Sequence, residues 1–381
     1  MWQQLRATLS LQLIALACLS GYFALPLFLG EVVAALGLSE LQAGLLAAAD
    51  LLGIGLMSMV LPFTIKCLIN WRNVVYSLWV AMVASLLSML ANSFELLLVC
   101  RLLAGMAAGF SYASALVVLA RQAQPTLHLG AYNILATGLI TVFMFGLPSL
   151  LELGSYQYAL ALMALIQLVC MLVVTQLPKL EFDFDGSVSS VNHGSSQIYL
   201  GSLMLLVCGL FYLNIGTIWA FIELIADESG FTTAEIGMAL GISNVVSIGG
   251  GFLSAWLGER IGKVLPLMVG LFIQGCVLLV LWQFGTAISL TILVISLSTY
   301  FLLWNFIDVY SISLTESFDH SGKLITVVPA VQGFGSALAP VLFTSLWMQN
   351  QYSEGIPFAL VAIGMAILVV QLVANLKGKQ Q

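Results

Sequence analysis

Charge is what this sequence has least of. Asp, Glu, Lys and Arg make up 7% of its 381 residues, where a soluble domain carries roughly 25%. With 61% apolar residues, the chain could not cover its surface in water, which excludes an ordinary soluble globule. The apolar stretches also lack the strict alternation of a membrane barrel strand, which excludes that fold. Histidine is nearly absent: His128, His193 and His320 all fall in expected inner loops, leaving no haem ligand inside a bundle. No lysine falls inside an expected span, so a retinal Schiff base has no partner. No polar segment is long enough to be a nucleotide-hydrolysing domain, which argues against a primary pump. The six cysteines, from Cys18 to Cys276, sit in apolar runs or at their cytoplasmic edges and imply no disulfide framework. Gly249-Gly250-Gly251 lacks the Gly-Lys-Ser/Thr that would make it a phosphate loop. No catalytic constellation, cofactor or metal set is expected, and the chain is not read as an enzyme.

What remains is a series of long apolar runs. A membrane core of ~30 Å is crossed by ~20 apolar residues in a helix, and lipid offers no partner to an unpaired backbone group. Runs of that length cover 8–29, 41–63, 74–92, 96–119, 129–151 and 156–177, then 198–222, 234–257, 264–284, 287–311, 325–347 and 357–376. The expected fold is therefore an all-α polytopic membrane protein with twelve transmembrane helices in two pseudo-symmetric six-helix bundles. The first bundle takes residues 1–178 and the second 197–381, with a short cytoplasmic tail. Residues 179–196 between them are rich in Ser, Asp, Gly and Asn and read as a flexible cytoplasmic linker. Asp183-Phe184-Asp185-Gly186 within it lacks the later ligands of a calcium loop. Arg6 and the run after it do not end in a small-residue cleavage site, so a spanning helix is expected there rather than a signal peptide.

The basic residues give the orientation. With the N-terminus inside, Arg6, Lys66, Arg72, Arg121, Lys179, Arg260, Lys263, Lys323, Lys377 and Lys379 are all cytoplasmic. The outer loops carry Glu31, Glu40, Glu95, Glu152, Asp227, Glu228, Glu235 and Glu354. Both termini are thus expected in the cytoplasm and the protein in the cytoplasmic (inner) membrane. A missed helix would scramble this sorting, so it supports the count too.

The halves repeat each other weakly. Ser39-Glu40-Leu41-Gln42-Ala43-Gly44 opens the second span, and Thr232-Thr233-Ala234-Glu235-Ile236-Gly237 opens the eighth. His128-Leu129-Gly130 precedes Pro148 by the same spacing at which His320-Ser321-Gly322 precedes Pro340. Two six-helix halves related by a repeat point to a secondary transporter.

Gly258-Glu259-Arg260-Ile261-Gly262-Lys263, after the eighth span, resembles the loop motif of the major facilitator superfamily, with Glu259 in place of the usual aspartate. The corresponding stretch after the second span, Leu61 to Arg72, lacks the acid and the Gly-Arg step. Arg101-Leu102-Leu103-Ala104-Gly105 resembles the superfamily's Arg-x-x-x-Gly pattern, often associated with proton-coupled members. The Gly-Pro-rich fifth-helix motif of many drug antiporters is missing, with Gly146-Leu147-Pro148 a weak substitute. The resemblance implies a gating role for the loop Gly258, Glu259, Arg260, Gly262 and Lys263. It also implies a central path lined by helices one, four, seven and ten, which favours Tyr112, Asn214 and Trp304.

Few charges lie at membrane depth, where each costs ~2.5–3.5 kcal/mol on insertion scales. Arg101 stands about five residues into its helix, ~8 Å below the outer boundary. It either snorkels outward, contacts an anionic group, or tunes a nearby carboxylate. Asp50, about nine residues and roughly 14 Å deep, either binds the coupling proton beside Arg101 or forms a structural ion pair with it. Tyr300, Trp304 and Asp308 share one helix face, which either lines a cavity or carries Asp308 into the inner headgroups; Glu223 has the same ambiguity at the other side. Tyr112, Asn133, Tyr212, Asn214, Trp219 and Asn244 are further polar positions, singly better suited to helix packing than to ligand contact.

The function expected is secondary transport of a small solute by alternating access, coupled to protons, with export slightly favoured over import. The alternative is a transporter-like sensor or partner subunit without net transport. Expected partners are the small-molecule substrate, the coupling proton and the lipid bilayer, with no nucleic acid; the protein is expected to be a monomer.

Overall fold

The computed structural model describes residues 2–68, 70–120, 125–152, 156–176, 195–258, 260–284, 288–318 and 323–378. The first half contains α1 (Trp2–Cys18), α2 (Ser20–Leu36), α3 (Glu40–Leu68), α4 (Trp71–Met89), α5 (Phe94–Ala120), α6 (Pro125–Leu151) and α7 (Gln157–Gln176). The second contains α8 (Ser195–Asp227), α9 (Thr233–Leu257), α10 (Val264–Phe284), α11 (Leu290–Glu316), α12 (Lys323–Leu342) and α13 (Gly355–Gly378). Among the described residues, eleven helices are long and apolar enough to cross a membrane, α1 and α2 counting as one crossing, and Leu135–Leu151 of α6 supplies a shorter twelfth. Large apolar side chains stand on the outside, Phe252 at 74% exposure and Leu368 at 66%. Such surface is stable only where the solvent is lipid.

The helices begin where short polar side chains can cap them. Ser39 and Gln42 bond reciprocally across the first turn of α3, and Thr232 and Glu235 form the same capping box at α9. Ser93 and Ser289 cap α5 and α11 by accepting from Leu96 and Ile292. Each of these side chains satisfies a backbone N–H that has no intrahelical partner. The repeat seen in the sequence is thus a repeat of helix starts.

The chain forms two compact units, Met1–Gly186 and Ser187–Gln381. In the first, the most extensive packing joins α3 to α5; α5 also packs on α4 and α1, and α4 on α7. In the second, α9 and α11 make the most extensive pair; α11 also packs on α10 and α8, and α10 on α13. Each pairing of the first unit therefore has its counterpart in the second. The linker expected at 179–196 falls outside the described residues up to Ser195, where α8 begins.

Lipid gives apolar side chains no reason to leave it for each other, so helices associate where small residues permit close approach. A Cβ on Gly53 of α3 would lie 2.5 Å from the Met106 backbone nitrogen, and one on Gly109 of α5 would lie 2.6 Å from Ile54 Cα. In the second unit, a Cβ on Gly250 of α9 would overlap the Leu302 carbonyl of α11. Hydroxyls add interhelical bonds: Ser111 donates to the Val74 carbonyl at 2.9 Å, and Ser77 to the Ala107 carbonyl.

Several boundaries depart from the sequence reading. The first crossing is interrupted at Leu19 and passes through Pro26. At Leu19 the N–H bonds to the Leu16 carbonyl, while the Ser20 hydroxyl donates to the Ala17 carbonyl at 2.8 Å; such back-bonding competes with the regular ladder. The stretch expected as a loop after the second span is helical to Leu68. His128, expected in a loop just before the fifth span, lies within the first turns of α6, because Pro125 is well suited to start a helix. Glu31 and Asp227 also sit in helices, near the ends of α2 and α8, rather than in loops. The eleventh span ends in a π-helical turn, Phe343–Trp347. The side chains of Arg6, Lys66, Asn133 and Lys323, and the whole of Arg121, Lys179, His193, His320 and Lys379, lie outside the described residues.

Candidate functional site

The close approach of α3 and α5 brings the charges of the first unit together. Arg101 Nη2 lies 2.5 Å from Asp50 Oδ2, and Nε of the same guanidinium donates to that oxygen at 3.0 Å. The Arg101 side chain is 4% exposed and that of Asp50 17%, so Arg101 is paired at depth and does not snorkel. Gly105, one turn beyond Arg101, packs directly on the Asp50 backbone, where a Cβ would overlap it. The Arg-x-x-x-Gly pattern therefore addresses one residue twice: Arg101 takes the carboxylate and Gly105 admits the backbone.

A third helix closes the site. A Cβ on Gly21 of α2 would fall 2.5 Å from Arg101 Nη2 and 2.9 Å from Asp50 Oδ2, so glycine there leaves room for the ion pair. Arg101 Nη1 is buried and, among the described residues, has no hydrogen-bond partner. That nitrogen can hold an anionic group, or respond when the Asp50 carboxylate gains a proton. Tyr112 sits further along α5, half-buried, its ring 6.5 Å from that of Tyr132 on α6.

The second unit holds a different site at α8, α11 and α12. Asp308 Oδ1 accepts from the Tyr212 hydroxyl at 3.0 Å and from Gln332 Nε2 at 2.8 Å. Trp304, one turn back on α11, lies edge-on to Tyr212 at 6.5 Å and to Trp219 at 6.1 Å, with Phe301 at 6.0 Å. Tyr212, Trp304, Asp308 and Gln332 are half-buried, whereas Trp219 and Phe301 are sealed behind them. Asn214 belongs to a separate network: it accepts from the Tyr300 hydroxyl at 2.8 Å and donates to Gln274 Oε1 at 3.3 Å, fully buried. Asn244 donates to the Leu240 carbonyl of its own helix, and Glu223 is buried near the end of α8.

The loop after α9 is shaped by two glycines with positive φ, Gly258 at 54° and Gly262 at 76°, a region that other residues enter at a cost. The Tyr310 hydroxyl of α11 donates to the Gly258 carbonyl at 2.8 Å, and Lys263 Nζ donates to the Ser313 carbonyl at 3.2 Å. Arg260 lies over the Trp256 ring at 5.6 Å. Glu259 is outside the described residues. Among the described residues, no group of three or more His, Cys, Asp or Glu could hold a metal.

Sequence reasoning singled out Asp50, Arg101, Trp304 and Asp308 because a charge or a large aromatic stands out in an apolar run. It missed Gly21, Gln274 and Gln332. Gly21 is one of 34 glycines, and the two glutamines carry no local pattern; their roles arise only from neighbours distant in sequence.

Apolar helices in two like-packed units, with Asp50, Arg101 and Asp308 held between helices, define a polytopic membrane transporter fold. The family model of the Major Facilitator Superfamily matches residues 12–340, and the chain belongs to that superfamily. Its fold is similar to that of a bacterial homolog of the human lysosomal transporter Spinster, solved in an inward-facing and occupied conformation. That match has a TM-score of 0.79 at 12% identity, covering 98% of this chain and 97% of the other. A D-xylose-proton symporter matches with a TM-score of 0.73 at 14% identity over 97% of both chains. The nucleoside transporter NupG, solved as a point mutant, matches at 0.72 and 12% identity over 97% of this chain and 99% of that one. At such identities the likeness is one of fold.

Proposed function

We propose that this superfamily member is a proton-coupled secondary transporter of the cytoplasmic membrane, with both termini cytoplasmic, moving a small solute by alternating access of its two units. Export is slightly favoured over import. The observation that carries the reading is the Asp50–Arg101 pair, the one ion pair within salt-bridge distance among the described residues. An ion pair inside an apolar helix interface is costly to keep, since desolvation opposes the Coulombic gain. Its presence is explained if the pair is made and broken during the cycle.

In this cycle, the unprotonated Asp50 carboxylate is held by Nε and Nη2 of Arg101. A proton arriving from one side neutralises it, weakens both charge-assisted bonds and frees the guanidinium. Return of Asp50 to Arg101 then releases that proton to the other side. Solute bound to the alternate state completes the exchange, so net proton movement accompanies solute movement. The loop from Gly258 to Lys263, tied to α11 through Tyr310 and Lys263, is proposed to act as a gate.

The test is proton movement in proteoliposomes loaded with a pH-sensitive dye. The panel includes D-xylose and a nucleoside, which the similar folds carry, together with a monocarboxylate and an aromatic cation. Wild-type protein should move protons with at least one solute, and Asp50→Asn should abolish the pH-driven component. Unchanged pH-driven flux in the variant would remove Asp50 from the coupling step. No proton movement across a broad panel would favour a sensor over a transporter.

A further inference from the structure

Asp308 is an intramembrane carboxylate whose charge no basic side chain neutralises among the described residues. Among the described residues no Lys or Arg lies within ion-pair distance of it. Its neighbours use only half of it: Tyr212 and Gln332 both donate to Oδ1, and no described residue donates to Oδ2. A neutral amide oxygen would accept those two bonds equally well, so anchoring Tyr212 and Gln332 does not account for a charge. The residue stands eight positions before the end of α11 at Glu316, ~12 Å along the helix. Side chains that carry charge at such depth face a partner or a solute path.

The surroundings indicate what the partner is. Tyr212 bonds to Asp308 through its hydroxyl and presents its ring to Trp304 at 6.5 Å. Trp219 and Phe301 pack behind Trp304 at 6.1 and 6.0 Å, which fixes the indole in place. Tyr212 and Trp304 remain half-buried, so their rings are accessible beside the acid. Aromatic faces attract cations by ~0.5–2 kcal/mol, more when desolvated, and they also accept apolar bodies. An anionic solute would be repelled here, and an uncharged one would leave the carboxylate without a counter-charge.

We infer that Asp308, Tyr212 and Trp304 form a recognition site for an organic cation, one with an ammonium or similar centre joined to an aromatic or apolar body. The cationic centre lies against Asp308 Oδ2 and the body against the Trp304 and Tyr212 rings. This rests on the transporter reading above for its biological sense, but the site's ligand class is read from the second unit alone.

Equilibrium binding separates the two. Purified full-length protein in detergent is titrated with radiolabelled tetraphenylphosphonium by scintillation proximity. Benzyltrimethylammonium and its uncharged carbon isostere, neopentylbenzene, serve as competitors. Saturable binding is expected, displaced by the cation and not by the isostere at equal concentration. Asp308→Asn should weaken it by about tenfold or more, and Trp304→Ala should weaken it as well, while Asp308→Glu retains most of the affinity. Size-exclusion elution and melting temperature identify folded variants; if Asp308→Asn does not fold, the isostere comparison on wild-type protein and Trp304→Ala decide the question. Equal competition by neopentylbenzene, wild-type affinity in folded Asp308→Asn, or no saturable binding of either cation would overturn the inference. Cation binding without proton flux would sink the coupling proposal and leave this site standing; proton flux driven by another panel member without cation binding would do the reverse.

Discussion

Asp50 and Arg101 meet in the first unit within one residue of where Ser243 and Ser298 meet in the second. Asp50 and Ser243 each stand eleven residues past the capping residues Ser39 and Thr232. Arg101 stands eight past its cap Ser93, and Ser298 nine past Ser289. The two hydroxyls lie 3.2 Å apart, where the first unit has an ion pair. The same helix pair thus carries two chemistries: a pair of hydroxyls in one unit and an ion pair in the other.

That contrast makes the cost of the charges measurable. Arg101→Met alone leaves the Asp50 carboxylate facing an apolar interface, a change worth about 3–5 kcal/mol when a buried partner is lost. The double variant Asp50→Leu/Arg101→Met should recover much of the lost melting temperature while showing no pH-driven flux. Flux retained in the double variant would separate the pair from coupling.

Glycine substitutions should divide by what they strike. Gly105→Ala drives a Cβ into the Asp50 backbone, which cannot move without parting α3 from α5; a loss of roughly 1–3 kcal/mol is expected, as for overpacked cores. Gly21→Ala meets the mobile end of Arg101 and the Asp50 carboxylate instead. It should leave the melting temperature nearer wild type and disturb proton flux more. Equal thermal losses would show that Gly21 serves packing alone.

Asn214 should behave as a structural residue. Asn214→Ala removes the acceptor of the Tyr300 hydroxyl and the donor to Gln274 Oε1, worth about 1–3 kcal/mol for buried groups. The expected readout is a lower melting temperature with tetraphenylphosphonium affinity within about threefold of wild type. A larger fall in affinity at unchanged stability would instead place Asn214 against the solute.

The loop after α9 offers a kinetic test. Gly262→Ala forces a side chain onto a φ of 76°, a strain of order 1–3 kcal/mol, and Lys263→Met removes the bond to the Ser313 carbonyl. Both should lower the rate of solute exchange while equilibrium affinity stays near wild type. Unchanged exchange rates in both variants would remove the loop from gating.

The sequence by itself determined the solvent, the number of helices and their division into halves. Apolar run length is a local quantity, and lipid admits only internally bonded backbone, so composition translates directly into helices there. It also pointed to Asp50, Arg101, Trp304 and Asp308, because a charge or an indole in an apolar run is locally anomalous. Only the tertiary structure decided that Arg101 reaches Asp50 across 51 positions, that Gly21 makes room for them, and that Asn214 is consumed by Tyr300 and Gln274. Contacts between helices depend on which faces turn toward each other. In an apolar sequence nearly every face reads alike, since lipid and protein interior demand the same side chains.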